Sequence, residues 1–90
     1  MAYKVIVARK ILRNLSKMPE IVQKRFDLLY EILTHEGQTG ANQWHNYGKL
    51  GENKYHCHLN YSYVACWRHE KKTIIIEVYY VGSREDAPYA

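Results

Sequence analysis

The sequence lacks the features of several protein classes. It has no apolar run long enough to cross a membrane, and we expect no signal peptide. It contains no internal repeat, low-complexity segment or linker, and 90 residues leave no room for a second hydrophobic core. We therefore expect a single domain, residues 1–90, that works in the cytoplasm.

Cysteine is also scarce, with two residues, Cys57 and Cys66. The strand register derived below turns their side chains to opposite faces of a sheet, and such diverging directions do not permit a disulfide. Free thiols are typical of a reducing compartment. Cysteine usage is thus consistent with the cytoplasm.

Acidic residues are outnumbered by basic ones. Nine Asp and Glu stand against 13 Lys and Arg, which gives a net charge of +4 and a pI near 9.1. A basic surface suits an acidic or nucleic-acid partner, but the same charge also serves solubility alone. Charge by itself therefore does not identify the partner.

β-Branched and aromatic residues dominate the stretch from Lys54 onward, and short polar clusters divide it into three strands. A three-residue loop at 60–62 gives the first hairpin one consistently apolar face, whereas a slip of one residue would mix the faces. We therefore expect three facing pairs on the core face: Tyr55 with Trp67, Cys57 with Ala65, and Leu59 with Tyr63.

A two-residue turn at Lys71 and Lys72 extends this core face into the next hairpin. The expected core pairs are Trp67 with Ile76, Ala65 with Val78, and Tyr63 with Tyr80. On the opposite face this register predicts two rows, which are His56, Cys66, Glu77 and His58, Val64, Tyr79. Arg68 is expected beside Ile75, diagonal to the Glu77 carboxylate, and the two can pair.

The first half of the chain predicts a cover for the core face. Tyr3 to Ala8 reads as a strand beside one of the later strands, and residues 10–17 as a short helix. A second helix starts behind Pro19 and stops at Gly37. Its apolar stripe is Val22, Phe26, Leu29 and Leu33, widened by Ile21, Leu28 and Ile32.

Residues 35–51 predict a long loop, of the kind that is either functional or mobile. Trp44, His45 and Tyr47 could stack on bases. For Trp44 we favour the structural alternative, in which it pins the loop to the edge of the core together with Leu50. Tyr47 and Lys49 stay open between the two roles.

His56-x-His58 has strand spacing, so both imidazoles project to the same side. One interpretation is a metal site, which the nearest further carboxylate, Glu77, is too distant to complete, and we expect no metal or other cofactor. A second is acid–base chemistry, because a histidine can take or give a proton near neutral pH. A third is a pair of exposed histidines without a role, which fits each histidine taken singly better than the whole cluster.

The order strand, helix pair, three strands resembles the RelE/ParE toxin superfamily. The motifs that carry the resemblance are KL near residue 50, YHCHL, YVACW, IEVYYVGSRE and APY. The chain is most similar to the RelE-like cytotoxic translational repressors of toxin–antitoxin systems. The implied fold is α+β, with a short N-terminal strand, a two-helix hairpin, and a three-stranded antiparallel meander. The meander completes a four-stranded sheet covered by helices on one face.

The resemblance implies a metal-independent mRNA endoribonuclease, often acting on the ribosome and neutralised by a cognate antitoxin. The basic positions of the family match His56 and His58, where the best-known members carry lysines, Val64, where an arginine is common, and Arg84. The family's tyrosine near the C-terminus matches Tyr89. The resemblance and the side chains on the sheet face opposite the core together give the expected catalytic residues. These are His56, His58, Glu77, Arg84 and Tyr89. The expected substrate-binding residues are Lys49, Lys54, Arg68 and Tyr79. The alternatives are a ParE-like gyrase-binding toxin without nuclease chemistry and a non-catalytic, antitoxin-binding regulatory protein.

Overall fold

The structure, a computed structural model, describes residues 2–44 and 46–88. In chain order, its elements are β1 Lys4–Val7, α1 Arg9–Leu15, α2 Glu20–Glu36, a 3-10 helix Gly37–Gln43, β2 Gly48–Lys49, β3 Lys54–His58, β4 Tyr63–His69, β5 Ile75–Ser83 and a 3-10 turn Arg84–Asp86. The predicted α+β class is confirmed.

The strands form one sheet in the order β1-β5-β4-β3-β2. β1 runs parallel to β5, and the other neighbouring pairs are antiparallel. The predicted number of strands is wrong by one: four were expected, and the described residues form five. The segment after α2 is not an open loop: it coils into the 3-10 helix, and Gly48–Lys49 then pairs with β3 at the sheet edge.

Helix α2 has the predicted bounds. It begins at Glu20, directly after Pro19, and ends before Gly37, whose φ of 71° is a conformation that favours glycine. The predicted stripe is buried: Val22, Phe26, Leu29 and Leu33. The predicted widening is wrong for Ile21 and Leu28, which are 51% and 53% exposed, because each lies about 100° around the helix from its buried neighbour.

The core lies between the helices and one face of the sheet, which we call the core face. Trp67 is its largest fully buried side chain. The rings of Tyr47, Tyr55 and Trp67 form a triangular cluster there, with centroids 6.1 Å apart for Tyr47 and Tyr55, 6.2 Å for Tyr55 and Trp67, and 6.3 Å for Tyr47 and Trp67. The predicted register of the first hairpin is confirmed, including Tyr55 opposite Trp67 and Cys57 opposite Ala65.

The predicted register of the second hairpin is wrong. The turn spans residues 70–74 rather than two lysines, and Lys72 adopts a φ of 65° within it. The observed pairs are Trp67 with Val78, Cys66 with Tyr80, Ala65 with Val81, and Tyr63 with Ser83. Tyr79 is therefore an inserted residue at a β-bulge, and Val81 takes the core position expected for Tyr80.

Both cysteines are free, as predicted, and both are buried. Cys57 belongs to the core under the helices, whereas Cys66 does not, in agreement with their expected opposite faces. Within the described ranges, no helix has the length and apolar character that a membrane crossing requires. The face of the sheet that carries Cys66 is called the open face below.

Candidate active site

His56 and His58 project from β3 onto the open face, with ring centroids 6.4 Å apart. Their cross-strand neighbours on β4 are Cys66 for His56 and Val64 for His58. Both neighbours are fully buried, and both imidazoles are half-buried. The two histidines thus stand over an apolar floor rather than in open water.

Strand β2 holds the ring of His56 from the side. Gly48 lies opposite His56, so close that a Cβ on Gly48 would be 2.7 Å from the imidazole Nε2. Burial, and secondarily the nearby His58, lowers the pKa of His56 below its ordinary value of 6.5. His56 is therefore mostly neutral near pH 7, the form that accepts a proton.

The segment before β2 holds His58. Asn46, with a φ of 53°, places its side-chain Nδ2 3.4 Å from the Nδ1 of His58. The indole N–H of Trp44 donates to the carbonyl oxygen of His58 over 2.8 Å. Trp44 therefore pins the segment to the edge of the core, as predicted, and Trp44, Asn46 and Gly48 together position the histidine pair.

A cationic cluster lies on the same face beside the histidines, in a row formed by Lys54, Arg68 and Glu77. The Arg68 guanidinium is 3.5 Å from the Glu77 carboxylate. The Tyr79 ring centroid is 5.3 Å from the Arg68 Cζ and 6.0 Å from the Lys54 Nζ. Burial is the main cause that raises the pKa of Tyr79, so its hydroxyl stays protonated.

The rows expected from the sequence are therefore wrong in two places. Glu77 faces Arg68 instead of sharing the row of His56, because the longer turn shifts β5 by two residues. The row of His58 ends at Gly82 instead of Tyr79, because the bulge adds one residue more. Glu77 thus contacts the arginine, not a histidine.

Arg84 follows β5 at the far end of the face. Its backbone N–H donates to the carbonyl oxygen of Ser62 over 2.9 Å, and its Cζ lies 5.3 Å from the ring centroid of Tyr61. Lys49 pairs with Tyr55 and so belongs to the core-face side of β2, away from the histidines. Tyr89 and His45 lie outside the described residues.

Thiolate chemistry does not fit this site. Burial raises the pKa of the Cys66 thiol to about 12, and burial also raises the pKa of Cys57. Within residues 2–44 and 46–88, no group of three or more His, Cys, Asp or Glu side chains is arranged to hold a metal ion. Imidazoles and phenols on this face can move a proton.

No role was predicted from the sequence for Asn46, Gly48 or Tyr61. Gly48 carried a readable signal, because a glycine within a strand often marks a close approach of another group. Asn46 carried none, since its contact depends on a positive φ that the sequence does not reveal. Tyr61 was read as part of a loop, without a role.

Comparison of the sequence with models of protein families finds no match, and comparison with curated proteins finds no significant match. The fold does match solved structures. The archaeal RelE–RelB complex from Pyrococcus horikoshii OT3 matches with a TM-score of 0.74 and 19% identity, over 97% of this chain and 100% of that chain. A mutant of the E. coli toxin RelE in the free state matches with a TM-score of 0.68 and 18% identity, over 99% of this chain and 90% of that chain.

Proposed function

The chain has a RelE-like fold, and we propose that it is the toxin of a type II toxin–antitoxin system. In this proposal it is a metal-independent endoribonuclease that cleaves mRNA in the cytoplasm, on or off the ribosome, and so blocks translation. The observation that carries the proposal is the pair of imidazoles, 6.4 Å apart on one face of the sheet. Cationic groups flank the pair along β3.

The reaction uses the RNA's own 2′-hydroxyl as the nucleophile. A base removes the 2′-hydroxyl proton, the O2′–P bond forms, the P–O5′ bond breaks, and an acid protonates the departing O5′. The products are a 2′,3′-cyclic phosphate and a 5′-hydroxyl end. His56 is the base in this scheme, because its lowered pKa keeps it neutral near pH 7.

The acid is His58 or Tyr89, each of which the family resemblance also indicates. Arg84 stabilises the charge on the phosphorane, and a preorganised cation in this role is typically a large contribution to catalysis. Lys54, Arg68 and Tyr79 hold the RNA on the other side of the histidines, and Glu77 fixes the Arg68 guanidinium. The RNA strand thus follows β3, over about 13 Å from Lys54 to His58.

A cognate antitoxin is the proposed protein partner. The similarity to RelE in a RelE–RelB complex supports it, over the full length of that RelE chain. The net charge of +4 suits an acidic antitoxin as well as RNA. In this account an antitoxin and mRNA are both partners of the same small domain.

The test is to induce the protein in cells and, in parallel, to incubate the pure protein with single-stranded RNA in excess EDTA. We expect growth arrest with cleaved messages, cleavage in EDTA, and 2′,3′-cyclic phosphate ends. His56→Ala and Arg84→Ala should relieve the arrest while the protein stays folded.

Other outcomes would contradict the proposal in distinct ways. Arrest with DNA-damage signalling and intact messages would favour a gyrase-binding toxin. No growth defect together with tight antitoxin binding would favour a non-catalytic regulator. Cleavage that EDTA abolishes would contradict the metal-independent reaction.

A further inference from the structure

The loop between β3 and β4 is closed by hydrogen bonds within it, two of them to the side chain of Asn60. The Asn60 Oδ1 accepts hydrogen bonds from the backbone N–H groups of Ser62 and Tyr63, both over 2.9 Å. The Leu59 N–H donates to the Tyr63 carbonyl oxygen over 2.8 Å and closes the loop at its base. The conformation of the loop tip is therefore fixed before any ligand binds.

Tyr61 stands at this tip and is 82% exposed. An aromatic ring so exposed contributes little to folding, since it buries almost no apolar surface. The Arg84 guanidinium lies 5.3 Å from its ring centroid, and the Arg84 backbone is tied to the same loop through Ser62. Ring and cation thus form a preorganised pair, with most of the ring still accessible.

The surroundings of the pair match a nucleotide in charge and size. A depression of about 420 Å³ is lined by Arg25, His58, Leu59, Asn60 and Tyr61. This volume is within the range of about 300–1,000 Å³ that small-molecule sites occupy. His58 belongs both to this depression and to the histidine pair, and Tyr61 is at most about 10 Å further along the chain.

We infer that Tyr61 is a stacking platform for one unpaired RNA base next to the scissile phosphate, with Arg84 on that phosphate and Arg25 on the next one along the strand. The inference rests on the proposed function, because it takes single-stranded RNA as the ligand of that same site. Aromatic stacking tolerates any base, since every base has a π face. Tyr61 therefore supplies affinity and register along the strand rather than base specificity.

The test measures binding of an uncleavable probe, a 2′-O-methyl RNA dodecamer, by fluorescence anisotropy. Tyr61→Ala should raise the Kd about 5- to 140-fold, the range for loss of one stacked base. Tyr61→Leu should weaken binding almost as much, whereas Tyr61→Phe should retain it, because the ring and not the hydroxyl stacks. Tyr30→Ala, which removes another exposed tyrosine on α2, is the matched control and should leave the Kd unchanged.

Salt dependence separates stacking from charge. Arg84→Ala and Arg25→Ala should each reduce the slope of log Kd against log salt concentration by about 0.7, the value for one phosphate contact on a single strand. Tyr61→Ala should leave that slope unchanged. A Tyr61→Ala protein that binds the probe as tightly as wild type would overturn the inference, and so would a wild type that does not bind it.

Cleavage is scored separately with unmodified RNA and the wild-type protein. Probe binding that depends on Tyr61, without any cleavage, would support the platform and contradict the nuclease. Cleavage by wild type together with unaltered probe binding by Tyr61→Ala would support the nuclease and overturn the platform. The two proposals therefore fail by different results.

Discussion

The two faces of the sheet keep water out by different means. On the core face, helices cover Cys57, Trp67 and Val78. On the open face, Val64 and Cys66 are also fully buried, although neither belongs to the core under the helices. The histidines stand on this second, smaller apolar layer, which is why burial is the main cause of the lowered pKa of His56. A polar face over buried apolar side chains can thus lower the pKa of a histidine without a deep pocket.

The largest effect is expected for Trp67→Ala, which removes the largest buried side chain of the core face. Trp67 is fully buried, and truncation of such a side chain costs about 3–5 kcal/mol in the free energy of unfolding. Denaturant unfolding followed by circular dichroism measures this loss. Tyr61→Ala, on the exposed loop tip, is the control and should change stability by less than about 0.5 kcal/mol. Equal effects of the two variants would contradict the assignment of the core.

A smaller change on the open face is Gly48→Ala. The new Cβ would come within 2.7 Å of the His56 Nε2, and the imidazole is the group that can move. We expect stability to change by less than about 1 kcal/mol and cleavage to fall by as much as about 10²-fold, because a misplaced catalytic group is costly. Single-turnover cleavage of RNA measures the loss.

Gly51→Ala is the matched control for that variant, since a Cβ there meets nothing within 4 Å. It should cleave at the wild-type rate. If Gly48→Ala does so as well, β2 does not position His56.

The smallest expected effect is the pH dependence that His56 gives to stability and to the cleavage rate. The pKa of His56 in the folded protein lies below 6.5, its value in the unfolded chain, so below pH 6.5 the unfolded state binds more protons. Wild type should therefore lose stability relative to His56→Ala as the pH falls from 6.5 toward the folded pKa. The cleavage rate should fall over the same interval as the base is protonated. An NMR titration that gives His56 a pKa at or above 6.5 would contradict the claim that burial lowers this pKa.

Alternation along the strands was enough to predict the first hairpin. The core face of β3 and β4 and the direction of both histidines follow from period two, and the structure confirms them. Helix α2 was equally readable, because Pro19 and Gly37 mark its ends. These elements are fixed by local chemistry together with one buried face.

Alternation alone did not predict the register of the second hairpin. The longer turn moved β5 by two residues, which preserves the faces, so Ile76 and Val78 are buried as expected. The bulge then inserted Tyr79, which reverses the faces beyond it and turns Val81 inward in place of Tyr80. A bulge depends on tertiary packing, and alternation cannot locate it. The cross-strand positions of Arg68, Glu77 and Tyr79 were mispredicted for this reason. The expected pairing of Arg68 with Glu77 is nevertheless confirmed.

His56 is the proposed base on the open face. The most direct measurement is single-turnover cleavage of single-stranded RNA by His56→Ala, beside His35→Ala, which removes an exposed histidine from α2. The account predicts a loss of about 10²- to 10⁴-fold for His56→Ala, with unchanged circular dichroism, and no loss for His35→Ala. A His56→Ala protein that cleaves as fast as wild type would contradict it.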